Sequence, residues 1–236
     1  MTDRPLPFIY GAQYFRDPTP DKRHWDGDMA RMRELGMDSI KFWAQWRWIH
    51  REQDAFHFET LDALMDLAQK HGLQVTINTI FDVTPLWLFE THPDARMTMA
   101  NGLAVQTQAT QCRQGGGVPE PCYSHPEALA ERKKFMRALL EHLAPHPAFA
   151  MLDIWNEPEQ NMVARNPDLA TLTCYCDHCQ AGLVEYLKGK YGSLDQLNEV
   201  WGRCYSRWEQ VEIPRDSSSC FVDFIDWREW KLDVMT

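Results

Sequence analysis

The 236-residue chain has no long run of lysine or arginine, and its 24 basic and 34 acidic side chains leave a net charge of −10. Acids and bases are mixed along its length, which argues against nucleic acid or an anionic membrane surface as the main partner and favours a neutral one. No stretch approaches 18 uninterrupted apolar residues, so no spanning helix is expected. The opening segment, MTDRPLPFIYGAQYF, has no basic stretch followed by the apolar core of a secretory signal. A soluble, cytoplasmic protein is expected. A glycine-rich phosphate loop is also missing, because GAQYFRDPTPD lacks the spacing of a dinucleotide fingerprint.

What is present is a regular alternation of short β-rich runs and helical patterns. Strands are expected at Phe8–Tyr14, Ser39–Ala44, Gln74–Phe81 and Phe149–Trp155. Between them, Trp25, Met29, Met32 and Leu35 form one helical stripe that stops at Gly36, and Leu61, Leu64, Met65 and Ala68 form another that stops at Gly72. A long loop is expected from about Thr84 to Tyr123, then a helix to Leu143 with Leu129, Phe135, Met136, Leu139 and Leu140 inward. The fourth run is apolar almost throughout, the pattern of a strand covered on both faces. Three further helical stretches follow, near 180–191, 193–201 and from 221 onward, with no clear fifth strand. Such βα alternation implies an α/β fold on a parallel sheet, either doubly wound or part of a (β/α)8 barrel.

In parallel βα folds the loops after the strand C-termini form the active face. Glu157, in MLDIWNEPEQN, follows the fourth run at that end. A carboxyl partly desolvated there stays protonated near neutral pH and can donate to a departing oxygen. Asn156 beside it offers an amide to a substrate hydroxyl, and Pro158 fixes the backbone that follows. Aromatics make up 12% of the chain, and rings near strand ends can stack on sugars or simply fill a core. Lys41, Trp43 and Trp46 are candidates to line the site on either ground.

DIWNEP resembles the fourth-strand signature of retaining glycoside hydrolases built on (β/α)8 barrels. More closely, the chain is similar to the N-terminal catalytic domain of glycoside hydrolase family 42, the β-galactosidases. The likeness is carried by GAQYFRDPTPDKRHWDGDMARMRELGMDSIKF, FHFETLDALMDLAQKHGLQVTINT, LWLFETHPD and, most specifically, CYCDHCQAGLVEYLKGKYGSLDQLNEVWG. The resemblance implies the N-terminal portion of a TIM barrel, with residues 1–236 as a partial catalytic domain. It makes Glu157 the general acid/base and Asn156 a contact to the sugar 2-hydroxyl. It also implies a β-galactoside or related oligosaccharide substrate, and a homotrimer. A retaining mechanism needs a second carboxylate about 5 to 5.5 Å from the first. In the family this nucleophile lies on a later strand, so the 236 residues are expected to be a fragment or truncated relative holding half of the pair. Lys41 stands where the family has a sugar-contacting arginine, and it lacks that residue's planar fork. Trp208 is the candidate for an aromatic that the family carries after the WG motif. These departures keep open an arabinopyranosidase or fucosidase, and a non-catalytic zinc-stabilised carbohydrate-binding remnant.

Cys174, Cys176 and Cys179 place three thiols within six residues, a spacing that suits one tetrahedral metal. A disulfide or unliganded buried thiols are the alternatives. The resemblance implies a structural Zn²⁺ site completed by Cys122, within a zinc-loop region spanning residues 112–205. His178 and Cys112 are rivals for the fourth position.

Overall fold

A computed structural model describes residues 8–81, 83–105, 121–154, 173–215 and 221–235. Among these, four parallel strands form one sheet: β1 (Gly11–Arg16), β2 (Ser39–Gln45), β3 (Gln74–Ile80) and β4 (Phe149–Asp153), in the order β1-β2-β3-β4. A doubly wound sheet reverses its strand order at a switch point, whereas a barrel lays each strand beside the last. The sequential order is that of a barrel wall.

The chain divides into two compact units, the first comprising residues 1–87, 109–116 and 132–158. This strand unit carries the sheet, α1 (Lys22–Glu34), α2 (Trp46–Ile49), α3 (Glu59–Lys70) and the C-terminal two-thirds of α5 (Pro126–Leu143). Period-two alternation divides the strand residues between the two faces. Ile40, Phe42, Ala44, Val75 and Ile77, on one face, are all within 1% of full burial, as are Leu61, Leu64, Met65 and Ala68 of α3 within 2%. Lys41, Trp43, Gln45, Thr76 and Asn78 lie on the other. Helix α1 opens on Asp21, whose carboxylate accepts from the Arg23 N–H, and the chain turns at Gly36 with φ 83°. Asp26 of α1 accepts from Lys70 Nζ and pairs with His71 Nε2, both at 2.7 Å, which joins α1 to the end of α3.

The second unit holds residues 88–108, 117–131 and 159–236. Its helices are α6 (Asp177–Tyr191), α7 (Leu194–Trp201) and α8 (Phe221–Met235), preceded by the end of α4 (Leu86–Thr91) and a 3-10 turn at Pro93–Ala95. Leu183, Leu187, Leu197, Trp201, Trp227 and Trp230 are buried between them. Helix α8 lies so close to α6 that a Cβ on Gly182 would come within 2.8 Å of the Trp230 ring. Asp226 of α8 is 2% exposed, and it accepts from Lys190 Nζ (2.8 Å), Tyr191 Oη (2.6 Å) and Trp201 Nε1 (2.8 Å). One buried carboxylate thus binds all three helices.

Several expectations need correction. β1 begins three residues later than the apolar run, and Phe8, Ile9 and Tyr10 are 85%, 52% and 46% exposed. Parallel pairing starts only where Gly11 faces Ser39, a position at which a Cβ would overlap the Ser39 carbonyl. The stretch expected as a long loop contains α4 and the 3-10 turn. Leu35 and Leu129 are exposed. The buried ridge of α5 keeps the expected Phe135 and Leu139 but continues through Ala128, Arg132 and Leu143, with Met136 and Leu140 only half-buried. β4 is not covered on both faces: Ala150 and Met151 are exposed, and Ile154 beyond it is 65% exposed. It is the outermost strand of the described sheet, so its apolar composition meets solvent.

Candidate functional site

On the strand unit's polar face, three neighbouring strands converge near the C-terminal end of β4. Lys41 Nζ of β2 donates to Asp153 Oδ2 at 2.7 Å, and Asn78 Nδ2 of β3 donates to the Asp153 carbonyl at 3.3 Å. Thr79 Oγ1 donates to the Ile154 carbonyl, which fixes the last described residue before the Trp155–Asn156–Glu157 stretch. Lys41 is 22% and Asp153 40% exposed at the side chain, so the pair is reachable by solvent and by a ligand. The Arg16 guanidinium lies 3.8 Å from the centre of the Trp43 ring and Lys41 Nζ lies 5.8 Å from it. Trp43 therefore serves as a platform for cations as well as a core side chain.

The other sequence candidates separate clearly. Asn156 and Glu157 lie outside the described residues, as does Cys112. Trp46 is fully buried, stacked on Phe135 at 6.1 Å and edge-on to Phe81 at 6.0 Å, so packing is its role. Trp208 opens a 3-10 turn in the helical unit and is half-buried. Asp153 was missed as a site residue. Its signal was present, as the single acid in the otherwise apolar FAMLDIW, but its partner lies 112 residues away. Asp17, just past β1, is 8% exposed, and burial raises its carboxyl to about 7.

In the helical unit, the Sγ atoms of Cys122, Cys174, Cys176 and Cys179 all lie within 4.8 Å of one another. Cys122 Sγ stands 3.3 Å from Cys179 Sγ and 3.4 Å from Cys176 Sγ, and all four thiols are free. The fourth member of the group is thus Cys122, and the rival His178 belongs to a separate group with Asp94 and His125. Backbone N–H groups point at the sulfurs: Thr98 donates to Cys174 at 3.3 Å and Ser124 to Cys122 at 3.4 Å. Cys176 caps α6 and Cys179 sits in its first turn, where the helix dipole favours an anion. Hydrogen bonds from Cys122, then Cys176 and Cys179, hold the Cys174 thiol well below its ordinary range, which favours its thiolate. Lys231, 2% exposed, places a buried positive charge near Cys179 that acts to lower that thiol's pKa and so favours the anion. Four converging sulfurs with this charge pattern can hold a metal ion.

Residues 14–236 match the family described as beta-galactosidase, glycoside hydrolase 42. The chain belongs to this family. Among curated members, the beta-galactosidase of Geobacillus kaustophilus is 26% identical over 212 residues, covering 87% of this chain and 29% of its own. That of Haloferax lucentense is 28% identical over 211 residues, with coverage of 87% and 29%. The chain therefore spans under a third of the length of these relatives. The solved beta-galactosidase of the haloarchaeon Halorubrum lacusprofundi superposes with a TM-score of 0.79 at 22% identity, over 97% of this chain and 33% of that one. The fold is that of the family 42 barrel. No described helix is long and apolar enough to cross a membrane.

Proposed function

We propose that these 236 residues are the acid/base half of a retaining β-galactosidase, acting on terminal β-D-galactosyl residues. Family membership over residues 14–236 carries this reading. Glu157 is the general acid, protonating the glycosidic oxygen as the bond to the anomeric carbon breaks, and then the base that activates water. Asn156 binds the sugar 2-hydroxyl, a contact that strengthens as the ring gains oxocarbenium character. Support for placing this pair at an active face comes from the register of β4, whose end the Lys41–Asp153 pair and Thr79 fix. Lys41 contacts the sugar through an ammonium already shared with Asp153, without the planar fork of an arginine, and an arabinopyranoside or fucoside is the alternative substrate. Trp208 is assigned as an aromatic sugar contact.

The metal is Zn²⁺ in a structural role. Zinc–sulfur bonds of about 2.3 Å place tetrahedral sulfurs about 3.8 Å apart, close to the separations of 3.3 and 3.4 Å between the cysteines. Four protein ligands leave no position for reactive water, so the ion acts on the fold. Clustered thiols at metal spacing favour a cytoplasmic setting, and the family resemblance favours a homotrimer.

The test has two arms. The 236-residue chain should hydrolyse a nitrophenyl β-galactoside no faster than its Glu157→Gln variant, because the nucleophile is not in this half; robust activity abolished by that substitution overturns the half-site reading. In a protein that continues through the later strands, Glu157→Gln should lower kcat/KM about a hundredfold or more for alkyl galactosides. Aryl galactosides, whose leaving groups need no proton, should be spared at the first step. Equal loss on both substrates would remove Glu157 from the acid role.

A further inference from the structure

Beside the thiol cluster the helical unit gathers a second set of metal-competent side chains that the glycosidase reading leaves unused. Asp94 comes from the Pro93–Ala95 turn, His125 from the residue before α5, and His178 from the first turn of α6. A nitrogen from each ring and an Asp94 carboxylate oxygen all lie within 4.8 Å of one another. We propose that Asp94, His125 and His178 form a second metal site, one that takes a borderline divalent cation such as Zn²⁺, Co²⁺ or Ni²⁺ through two imidazoles and one carboxylate.

The distances suit an ion. His125 Nε2 is 3.3 Å from Asp94 Oδ1 and His178 Nε2 is 3.6 Å from Asp94 Oδ2. Metal bonds of about 2.1 Å at tetrahedral angles would hold such atoms about 3.4 Å apart. Imidazole and carboxylate together select borderline cations over calcium or magnesium, which prefer oxygen alone. An outer carboxylate is also in place: Glu127 Oε2 lies 3.4 Å from His125 Nδ1, where it can accept the Nδ1 proton and leave Nε2 free for a metal. In the other tautomer Nδ1 accepts instead from the Ala128 N–H at 3.3 Å.

The scaffold is shared with the thiols. The Cys122 N–H donates to the Ala95 carbonyl at 2.7 Å, next to Asp94, and the His125 N–H donates to the Cys122 carbonyl at 3.2 Å. His178 sits in sequence between Cys176 and Cys179. An ion on the four sulfurs therefore fixes all three segments that carry the second set. His125 is 2% exposed at the side chain, while Asp94 is 69% and His178 35% exposed, so one ligand is buried and the remaining coordination positions face water. Three protein ligands leave a coordination position open to water.

The test is a Co²⁺ titration of the 236-residue chain whose thiol site has first been filled with Zn²⁺. The expected result is one saturable equivalent, with ligand-field bands of a nitrogen and oxygen environment and no thiolate-to-cobalt charge transfer. His178→Ala and Asp94→Asn, both at exposed positions, should each weaken this equivalent more than about tenfold while the tightly held zinc stays at one per chain. His125→Ala is set aside as the primary variant because that ring is buried. Absence of a saturable second equivalent, or one of unchanged affinity in both variants, overturns the proposal and leaves the three residues as an ordinary ion-pair network.

Discussion

In the strand unit the fully buried side chains include Phe42, Trp46, Leu64, Met65, Val75, Ile77 and one histidine, His50, and in the helical unit Leu183, Leu187 and Leu197 are joined by three thiols, His125, Asp226 and Lys231. The first list is apolar apart from that ring, and the buried polar groups beside it are mostly amides and hydroxyls, such as Gln45, Asn78 and Thr79. The second adds several ionisable groups to its apolar core. Apolar burial adds stability in increments of about 25 cal/mol per Å², so a strand-unit substitution costs in proportion to what it removes. Buried charges repay their desolvation only when every partner is present, so the helical unit depends on a few groups that fail together.

Removing the metal should test that contrast hardest. Chelation of the zinc-loaded chain should strip hydrogen-exchange protection from the start of α6 and from the Cys122 turn, while β2 and β3 keep theirs. Structural zinc contributes about 10 kcal/mol or more in small thiolate sites, so the loss should be large. Equal loss in both units would end the distinction, and a preparation that never contains zinc would remove its premise. Asp226→Ala comes next, at about 3 to 5 kcal/mol in urea unfolding, because it removes the charged acceptor shared by Tyr191 Oη, Trp201 Nε1 and Lys190 Nζ, of which Lys190 keeps Glu229 at 2.6 Å. Leu64→Ala in the strand unit should cost about 2 to 5 kcal/mol through the cavity it opens. A loss below about 1 kcal/mol would show that the α3 face collapses freely.

Asp17 is the strand unit's own exception, and its expected effect is the smallest. Its carboxyl is raised by burial to about 7, so the folded state holds the proton more tightly than the unfolded chain does. That contribution is complete below about pH 4 and is lost as pH climbs to about 7, with a ceiling of about 4 kcal/mol. Asp17→Asn should flatten this pH dependence in denaturant unfolding and should be the more stable protein at pH 8. A wild-type curve already flat from pH 4 to 8 would refute the burial argument.

Some of this was legible in the sequence because local periodicity and tertiary burial coincide there. The α3 stripe at Leu61, Leu64, Met65 and Ala68 is buried as read, and β2 and β3 begin where their β-rich runs begin. The reading failed where composition and environment part company. Phe8, Ile9 and Tyr10 look like a strand but lie before the first paired residue, and β4 looks enclosed but is the outermost described strand. Hydropathy reports what a residue prefers, and neither segment receives it. The three clustered thiols were visible as a local spacing, whereas the place of Cys122 came through family likeness, since no local pattern reaches across the 57 residues between it and Cys179. The pairing of Lys41 with Asp153, 112 residues apart, was hidden for the same reason. The grouping of His125 and His178 with Asp94 leaves no periodic trace at all.

That interval of 57 residues has a consequence of its own. A cross-link closing a loop of this length removes about 4 kcal/mol of chain entropy from the unfolded ensemble. The loop between Cys122 and the CYCDHC cluster contains α5, β4 and the stretch holding Asn156 and Glu157. Even with the rest of the chain unfolded, a metal-tied loop would keep these two residues on a short tether, so refolding would search for them within a confined volume. Such a clip would act on the order of assembly, setting a boundary within which β4 has to be found.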